Sequence, residues 1–256
     1  MHTLFTSPLH KIGRYPKVAR VFRAIGRRLF VAGLNANNYD MAANGEAWLI
    51  QKLAPHLDSC LDVGANKGNW AAEILKAAPE AKVYCIEAIP EFAAEIRERF
   101  GNRVRVLQIA LTNSEGKITL YKQGGGSKAA PLNTNKSVEI RTMDSTTGDR
   151  LVQSSCIQKV SLIKIDVDGH DMPVIEGFAE TIRSERPVVQ FEYSRFWIAM
   201  RYFLRDAFTF FEGHRYVVAR IMPDRIDSRE YSTADETFFT NNFVAIPKEK
   251  LSYFED

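Results

Sequence analysis

The sequence contains no apolar run near the roughly 20 residues that cross a bilayer, so no membrane-spanning helix is expected. It has three cysteines, Cys60, Cys85 and Cys156, and none is in a C-x-x-C spacing. They read as small buried hydrophobes of a reducing, cytoplasmic protein. No long apolar core with a small-residue cleavage site opens the chain, so no secretory signal is expected. Internal repeats, low-complexity tracts and a clear second-domain boundary after residue 45 are also missing.

Acidic residues are absent from residues 1–39, where Lys11, Arg14, Lys17, Arg20, Arg23, Arg27 and Arg28 stand. The rest of the chain holds 27 basic and 31 acidic residues, a net of −4, so the overall +3 belongs to the N-terminal extension. A slightly acidic body, with no Pro-Pro-aromatic motif after Asp166, argues against a nucleic-acid partner. What remains is ordinary for a globular protein. At 256 residues, 45% hydrophobic and 25% charged, it has room for one large domain with elaborations or two small ones.

Within residues 15–30, Val18, Val21, Phe22, Ile25 and Leu29 fall at helical spacing with basic residues between them. That pattern predicts an amphipathic basic helix. Three readings follow: a helix docked on the domain with a solvated basic face, a foot on an anionic membrane or acidic polymer, or a nucleic-acid contact. Residues 33–45 read as a loop, and Glu46–Leu57 as a helix. From Ser59 strands and helices alternate: strands to Val63, over Lys82–Glu87 and over Val104–Ala110, with helices over Asn69–Ala78 and Pro90–Phe100. The rhythm predicts a parallel sheet covered on both faces.

It breaks at two further strands, Lys117–Lys122 and Ser137–Met143, around the loop Gly124–Lys128, which is either a ligand contact or a surface hairpin. Asp144 or Ser145 is expected to cap a short helix to about Val152. Then come a strand over Val160–Val167, a helix over Met172–Ser184, a strand over Val188–Glu192, an aromatic segment, a helix over 204–211, and strands over 215–221 and 242–246. The ending suggests a final antiparallel pair.

The organising stretch is Cys60–Trp70, a buried strand leading through Gly64-x-x-x-Gly68 into a helix. Glycine lets the backbone and a helix N-terminus approach a ligand. Glu87 follows 23 residues after Gly64 at the end of the next strand, where an acid accepts ribose hydroxyls in doubly wound nucleotide-binding folds. In Lys164–Asp171, alternation puts Lys164 and Asp166 on one face and Ile163, Ile165 and Val167 on the other. A lysine and an aspartate inside a central strand are costly unless paired or used. Asp166 is therefore a functional candidate, with a purely structural Lys164–Asp166 pair as the alternative. His170 is either a general base or a surface residue at a helix start. Glu192 ends another strand facing the same crevice. Its carboxylate could orient a substrate hydroxyl or share a divalent cation, although spacing alone assembles no metal site.

Together Asp62–Gly68, Glu87–Pro90, Ala110–Thr112, Gly126-Ser127, Thr142–Asp144, Lys164–Asp171 and the Arg186–Glu192 segment resemble the FkbM-type methyltransferases, over roughly residues 44–195. The resemblance implies a class I S-adenosylmethionine-dependent O-methyltransferase acting on a sugar, glycan or natural-product hydroxyl. It implies that Gly64, Ala65, Asn66 and Gly68 hold the methionine end of the cofactor and Glu87 the ribose. Ala110 would lie near the adenine and Asp166 near the transferred methyl, with Asp62 and Ala88 joining the cofactor-binding set. The family commonly has Glu where Asp168 and Asp171 stand and Leu where Met143 stands.

The expected fold is α/β: a doubly wound, mostly parallel, seven-stranded Rossmann-like sheet with an inserted β-hairpin and an N-terminal helical extension. The division is residues 1–45 as a basic extension and 46–256 as the methyltransferase domain. Asp166 is expected to orient the acceptor and Lys164 to tune Asp166, while Asp168, His170 or Glu192 assists deprotonation. Two rivals stand beside this reading. One is a nicotinamide-dependent oxidoreductase, which lacks its third fingerprint glycine here and leaves Lys164–Asp171 unexplained. The other is a catalytically silent domain docked by its basic helix to a membrane or polymer.

Overall fold

A computed structural model describes residues 11–123, 126–128 and 139–255. In chain order the elements are α1 (Pro16–Gly33), α2 (Glu46–Leu53), β1 (Ser59–Val63), α3 (Asn69–Ala77), β2 (Lys82–Ile86), α4 (Pro90–Phe100), β3 (Val104–Leu107), β4 (Ala110–Leu111), β5 (Gly116–Gln123), β6 (Gly126–Lys128) and β7 (Glu139–Thr146). There follow α5 (Gly148–Ser154), β8 (Val160–Ile165), α6 (Asp171–Gly177), α7 (Ala179–Glu185), β9 (Val188–Tyr193), α8 (Phe196–Ala199), α9 (Leu204–Gly213), β10 (Tyr216–Met222), β11 (Arg225–Ser228) and β12 (Asn241–Pro247).

Among the described residues the main sheet runs β11-β10-β12-β9-β8-β1-β2-β3. β1, β2, β3, β8 and β9 pair in parallel, and β12 inserts antiparallel between β9 and β10. The sheet has eight strands rather than the seven expected, because the turn after β10 folds the short β11 back as an antiparallel edge. The doubly wound, mostly parallel plan is as expected. From β1 the chain winds outward through β2 and β3, then returns to lay β8 and β9 on the other side. The reversal between β1 and β8 is the crevice where such sheets hold ligands.

Burial follows from alternation. Leu61, Val63, Ile163, Ile165 and Phe191 face one apolar layer, and Cys60, Leu162, Val188 and Ala219 face the other. β1 is buried along its whole length, as a central parallel strand with both faces covered must be. Asp62 and Lys164 sit on the face of Cys60 and Leu162, so this layer ends in charge at the crevice.

Several local expectations change. The third strand stops at Leu107, and Ala110–Leu111 instead joins a second sheet, β4-β7-β5-β6. The inserted hairpin therefore forms a sheet of its own. Gly124 and Gly125 of the Gly124–Lys128 loop lie outside the described residues, as do residues 137 and 138 of the expected strand Ser137–Met143. Asp144 and Ser145 belong to β7, and the cap of α5 is Thr147, whose hydroxyl accepts the Arg150 N–H at 3.1 Å. The helix expected over Met172–Ser184 breaks at the fully buried Phe178. A Cβ at Gly148 would stand 2.3 Å from its ring, and one at Gly177 2.3 Å from the Thr112 carbonyl, so this corner is packed to contact.

Residues 34–45 hold onto the body. Ala36 is buried, and the Asn37 N–H donates to the Thr240 carbonyl at 2.8 Å. Helix α1 buries none of its residues. Among the described residues no helix is long and apolar enough to cross a membrane.

Candidate active site

The turn after β1 is shaped by a close approach. Gly64 has φ +81°, and a Cβ there would lie 1.9 Å from the Asp166 carbonyl oxygen, so only glycine lets the ends of β1 and β8 come together. Gly68, at φ +72°, caps α3 and lies against the Phe100 ring. Between them Asn66 is also left-handed, at φ +49°, and its N–H donates to Glu87 Oε2 at 2.8 Å. The Ile89 N–H donates to Glu87 Oε1, also at 2.8 Å. Burial pushes the Glu87 carboxyl up, against the pull of these backbone donors. The two bonds lock its orientation, and each oxygen retains a lone pair for a ligand hydroxyl.

Two cavities open on this turn. The first, about 90 Å³, is mostly apolar, with Ile86, Ile89, Phe92, Ile109 and Leu111 around Glu87, Ala88, Ala110 and His170. The second, about 410 Å³, is polar, with Asn38, Tyr39, Lys67, Lys164, Glu192 and Asn242 on its walls. Gly64, Asn66, Asp166 and Asp168 line both. Ala65 lines the polar cavity. Asp62 and Gly68 line neither: Asp62 lies buried behind the turn, and Gly68 shapes the helix start.

Lys164 ties the charges together. Its Nζ is 2.9 Å from Asp166 Oδ2 and 4.0 Å from Asp62 Oδ1. Burial pushes the ammonium down, but Asp166, Asp62 and Glu46 overcome that, and it ends raised and charged. Asp62 is fully buried, and neither of its oxygens has a hydrogen-bond partner among the described residues. Burial pushes its pKa up to about 7, Lys164 pulling the other way. Beside it runs a chain that the sequence did not suggest, of which Asn44, Glu46 and Trp70 line the polar cavity. Trp70 Nε1 donates to Gln190 Oε1 at 3.3 Å, Gln190 Nε2 to Glu46 Oε1 at 2.5 Å, and Asn44 Nδ2 to Glu46 Oε2 at 2.8 Å. Its members lie up to 146 positions apart, so no local spacing could reveal it.

Asp171 is buried and shapes the bend after β8. It accepts the Val167 N–H at 3.1 Å and the Gly169 N–H at 2.9 Å. Burial and the nearby Asp166 charge raise it to about 8. The bend holds Asp168 at φ +53° and presses Gly169 against Phe196. His170 points into the apolar cavity and shares a 2.9 Å hydrogen bond with the Thr112 hydroxyl. Burial lowers its pKa to about 4, which leaves it neutral near pH 7. Glu192 sits in the polar cavity, and burial with the charges of Asp166, Asp171 and Asp168 raises it well above the usual carboxylate range. Among the described residues no group of three or more His, Cys, Asp or Glu is arranged to hold a metal.

A doubly wound sheet of this order, with a glycine turn after β1, an acid closing β2 and a charged bend after β8, is the architecture of folds that hold nucleotide-type ligands at the strand reversal. Residues 62–218, more than half of the chain, match the methyltransferase FkbM domain, and the chain belongs to that family of methyltransferases. The match runs past the 44–195 of the sequence resemblance at its C-terminal end and begins later at its N-terminal end.

Among relatives, the chain is 28% identical over 209 residues to the 2-O-methyltransferase NoeI of Sinorhizobium fredii, covering 72% of this chain and 82% of that one. It is 28% identical over 149 residues to the hexuronic acid methyltransferase AglP of Haloferax volcanii, covering 55% of this chain and 58% of that one. Among solved structures, it is similar to methyltransferase FkbM from Methylobacillus flagellatus KT. That likeness has 13% identity and a TM-score of 0.49, over 74% of this chain and 43% of that one.

Proposed function

We propose that this enzyme transfers a methyl group from S-adenosylmethionine to a hydroxyl of a sugar or glycan. The observation that carries the reading is the meeting of an apolar and a polar cavity at Gly64, Asn66, Asp166 and Asp168. The apolar cavity fits a purine, and Glu87 at its floor fits ribose hydroxyls. Ala88 and Ala110 line this half. Gly64, Ala65 and Asn66 line the passage towards the methionine end, with Asp62 and Gly68 holding the turn in shape. The acids around the buried Lys164 favour a cationic ligand, which matches a sulfonium. The names of NoeI and AglP, a 2-O-methyltransferase and a hexuronic acid methyltransferase, support a saccharide acceptor. These memberships displace the oxidoreductase and the catalytically silent readings.

S-adenosylmethionine supplies a methyl group already activated for in-line transfer. The chain must place the acceptor oxygen and take its proton. Asp166, held by Lys164, is positioned to accept a hydrogen bond from the acceptor hydroxyl. Glu192 is the preferred base, because it faces the polar cavity and burial among neighbouring acids raises its affinity for a proton. Asp168, on both cavities, orients the acceptor with it. His170 faces the apolar cavity and binds Thr112, so its role in this reading is to close the purine side. Asn38, Tyr39 and Asn242 offer hydrogen bonds and an aromatic face to a sugar ring.

The same reading keeps residues 46–256 as the catalytic domain and 1–45 as an accessory extension. It keeps a cytoplasmic setting, supported by the free thiols of Cys60, Cys85 and Cys156, although Cys156, expected to be buried, is exposed in the turn after α5. A divalent cation shared by Asp166, Asp168 and Glu192 is a separate question, answered by a chelator arm.

The test is methyl transfer from labelled S-adenosylmethionine to candidate saccharides, with and without chelator, for wild type and Asp166→Ala. Transfer to a saccharide hydroxyl, lost in the variant while its fold is intact, supports the reading. Near-wild-type turnover of Asp166→Ala removes Asp166 from the chemistry, and no transfer to any saccharide removes the acceptor class.

A further inference from the structure

Helix α1 presents its apolar stripe away from the protein. Val18, Val21, Phe22, Ile25 and Leu29 are 45–70% exposed, although a docked amphipathic helix would bury them. At 3.6 residues per turn they form one stripe roughly 100° wide. The helix touches the body from the other side and near its C-terminal end. Phe30 meets the Phe239 ring edge-on with centroids 6.2 Å apart, and the Arg27 guanidinium lies 5.4 Å over the same ring. The Asn37 backbone hydrogen bond to Thr240 follows directly. The stripe is therefore held outward by the contacts that fix the helix.

Charge decides what covers this stripe. Lys17, Arg20, Arg23, Arg27 and Arg28 stand on the helix outside the stripe, and no acid occurs in residues 1–39. A second copy of the same helix would bring five more cations against these five. An acidic polymer would pair with the basic side but leave the apolar stripe in water. An anionic bilayer surface satisfies both faces, since acyl chains take up the stripe while headgroups pair with arginines reaching out from its flanks. Spanning is excluded by the five charges in 18 residues, so the helix lies in the interface.

We propose that α1 is an interfacial anchor that docks this enzyme on an anionic lipid surface. Because α1 runs straight into residues 34–45, which carry Asn38 and Tyr39 of the polar cavity, docking sets the mouth of that cavity at the membrane. The anchor itself does not depend on the reaction proposed above.

The test is flotation of the full chain with vesicles of phosphatidylcholine alone or phosphatidylcholine mixed with phosphatidylglycerol. Wild type is expected to float with the mixed vesicles only, and to be released by high salt. Ile25→Asp is expected to weaken binding by about tenfold or more, and Arg23→Glu with Arg28→Glu by a similar factor. S-adenosylmethionine affinity, measured by titration calorimetry, should stay unchanged in both variants, which shows that they are folded. No flotation with the mixed vesicles overturns the proposal, as does equal flotation of Ile25→Asp. Retention on heparin without vesicle binding, or a dimer that Ile25→Asp dissolves, gives the stripe a different occupant and also overturns it.

Discussion

Lys164 and Arg23 carry the same charge in opposite settings. Lys164 is 8% exposed, with Asp166 and Asp62 within 4.0 Å, in a strand buried on both faces. Arg23 is exposed, on a helix without a buried residue and in a stretch without a carboxylate. In the crevice, desolvation makes every charge depend on its neighbours, so one substitution disturbs the whole group. On α1, water satisfies each cation separately, and only an external surface gives the charges a common purpose. The family match covers the crevice strands and leaves out α1 and residues 34–45. The family domain is thus built in the packed sheet, and α1 stands outside it.

The sharpest way to test that contrast is to neutralise one crevice acid. Glu192→Gln is expected to lower kcat by about 10²–10⁴, roughly 3–5 kcal/mol of barrier, with S-adenosylmethionine binding retained. Single-turnover kinetics checks this, and a kcat within a factor of about three of wild type takes the base role away from Glu192.

Next is the backbone that brings the strands together. Gly64→Ala must move either the β1 turn or the Asp166 carbonyl, because its Cβ would meet that oxygen at 1.9 Å with φ at +81°. A loss of about 3 kcal/mol or more in urea unfolding is expected. A stable, active Gly64→Ala protein contradicts the close approach.

Protonation gives a third handle. Asp62 rises from its ordinary 3.8 to about 7 on folding, so the fold favours its neutral form. Its contribution is fully present below pH 3.8 and fades as pH rises through about 7. His170 behaves in the opposite way: folding lowers it from 6.5 to about 4, so its contribution is full above 6.5 and fades as pH falls towards 4. The Asp62 part predicts a loss concentrated between about pH 4 and about pH 7, the window in which the His170 part gains, so Asp62→Asn should make stability rise more steeply with pH there in denaturant titrations. Arginines of α1 should leave the slope unchanged.

Smaller effects lie outside the crevice. Thr147→Ala removes the cap of α5 and should cost about 1 kcal/mol in thermal unfolding. Leu29→Ser on α1 should change stability by no more than about 0.5 kcal/mol, since that side chain is 70% exposed. A larger loss would mean that the stripe is packed after all, and would collapse the contrast.

Reading the residues in order was enough to find the glycine turn, the acid 23 positions later and the charged strand ending at Asp166. Each is a local pattern set by one strand and the turn after it. The break at Phe178 was not legible, because nothing nearby in sequence marks the close packing of its ring against Gly148. An apolar run does not say which sheet it joins, so Ala110 looks continuous with the third strand although it pairs with Ser145 of β7. The Trp70–Gln190–Glu46–Asn44 chain was invisible for a related reason: its members share no element, and only the folded sheet makes them neighbours.

The sequence by itself determined the alternation of strands and helices, the position of the nucleotide-type turn, and the amphipathic basic character of residues 15–30. These are properties of spacing, which backbone geometry converts directly into faces and ends. Only the tertiary structure decided that Glu192 and Asp168 share a cavity with Asn38 and Tyr39. It alone decided that His170 faces the apolar side, and that the stripe of α1 points outward. Those outcomes depend on which surfaces exclude water from one another, and that is fixed by contacts between segments far apart in the chain.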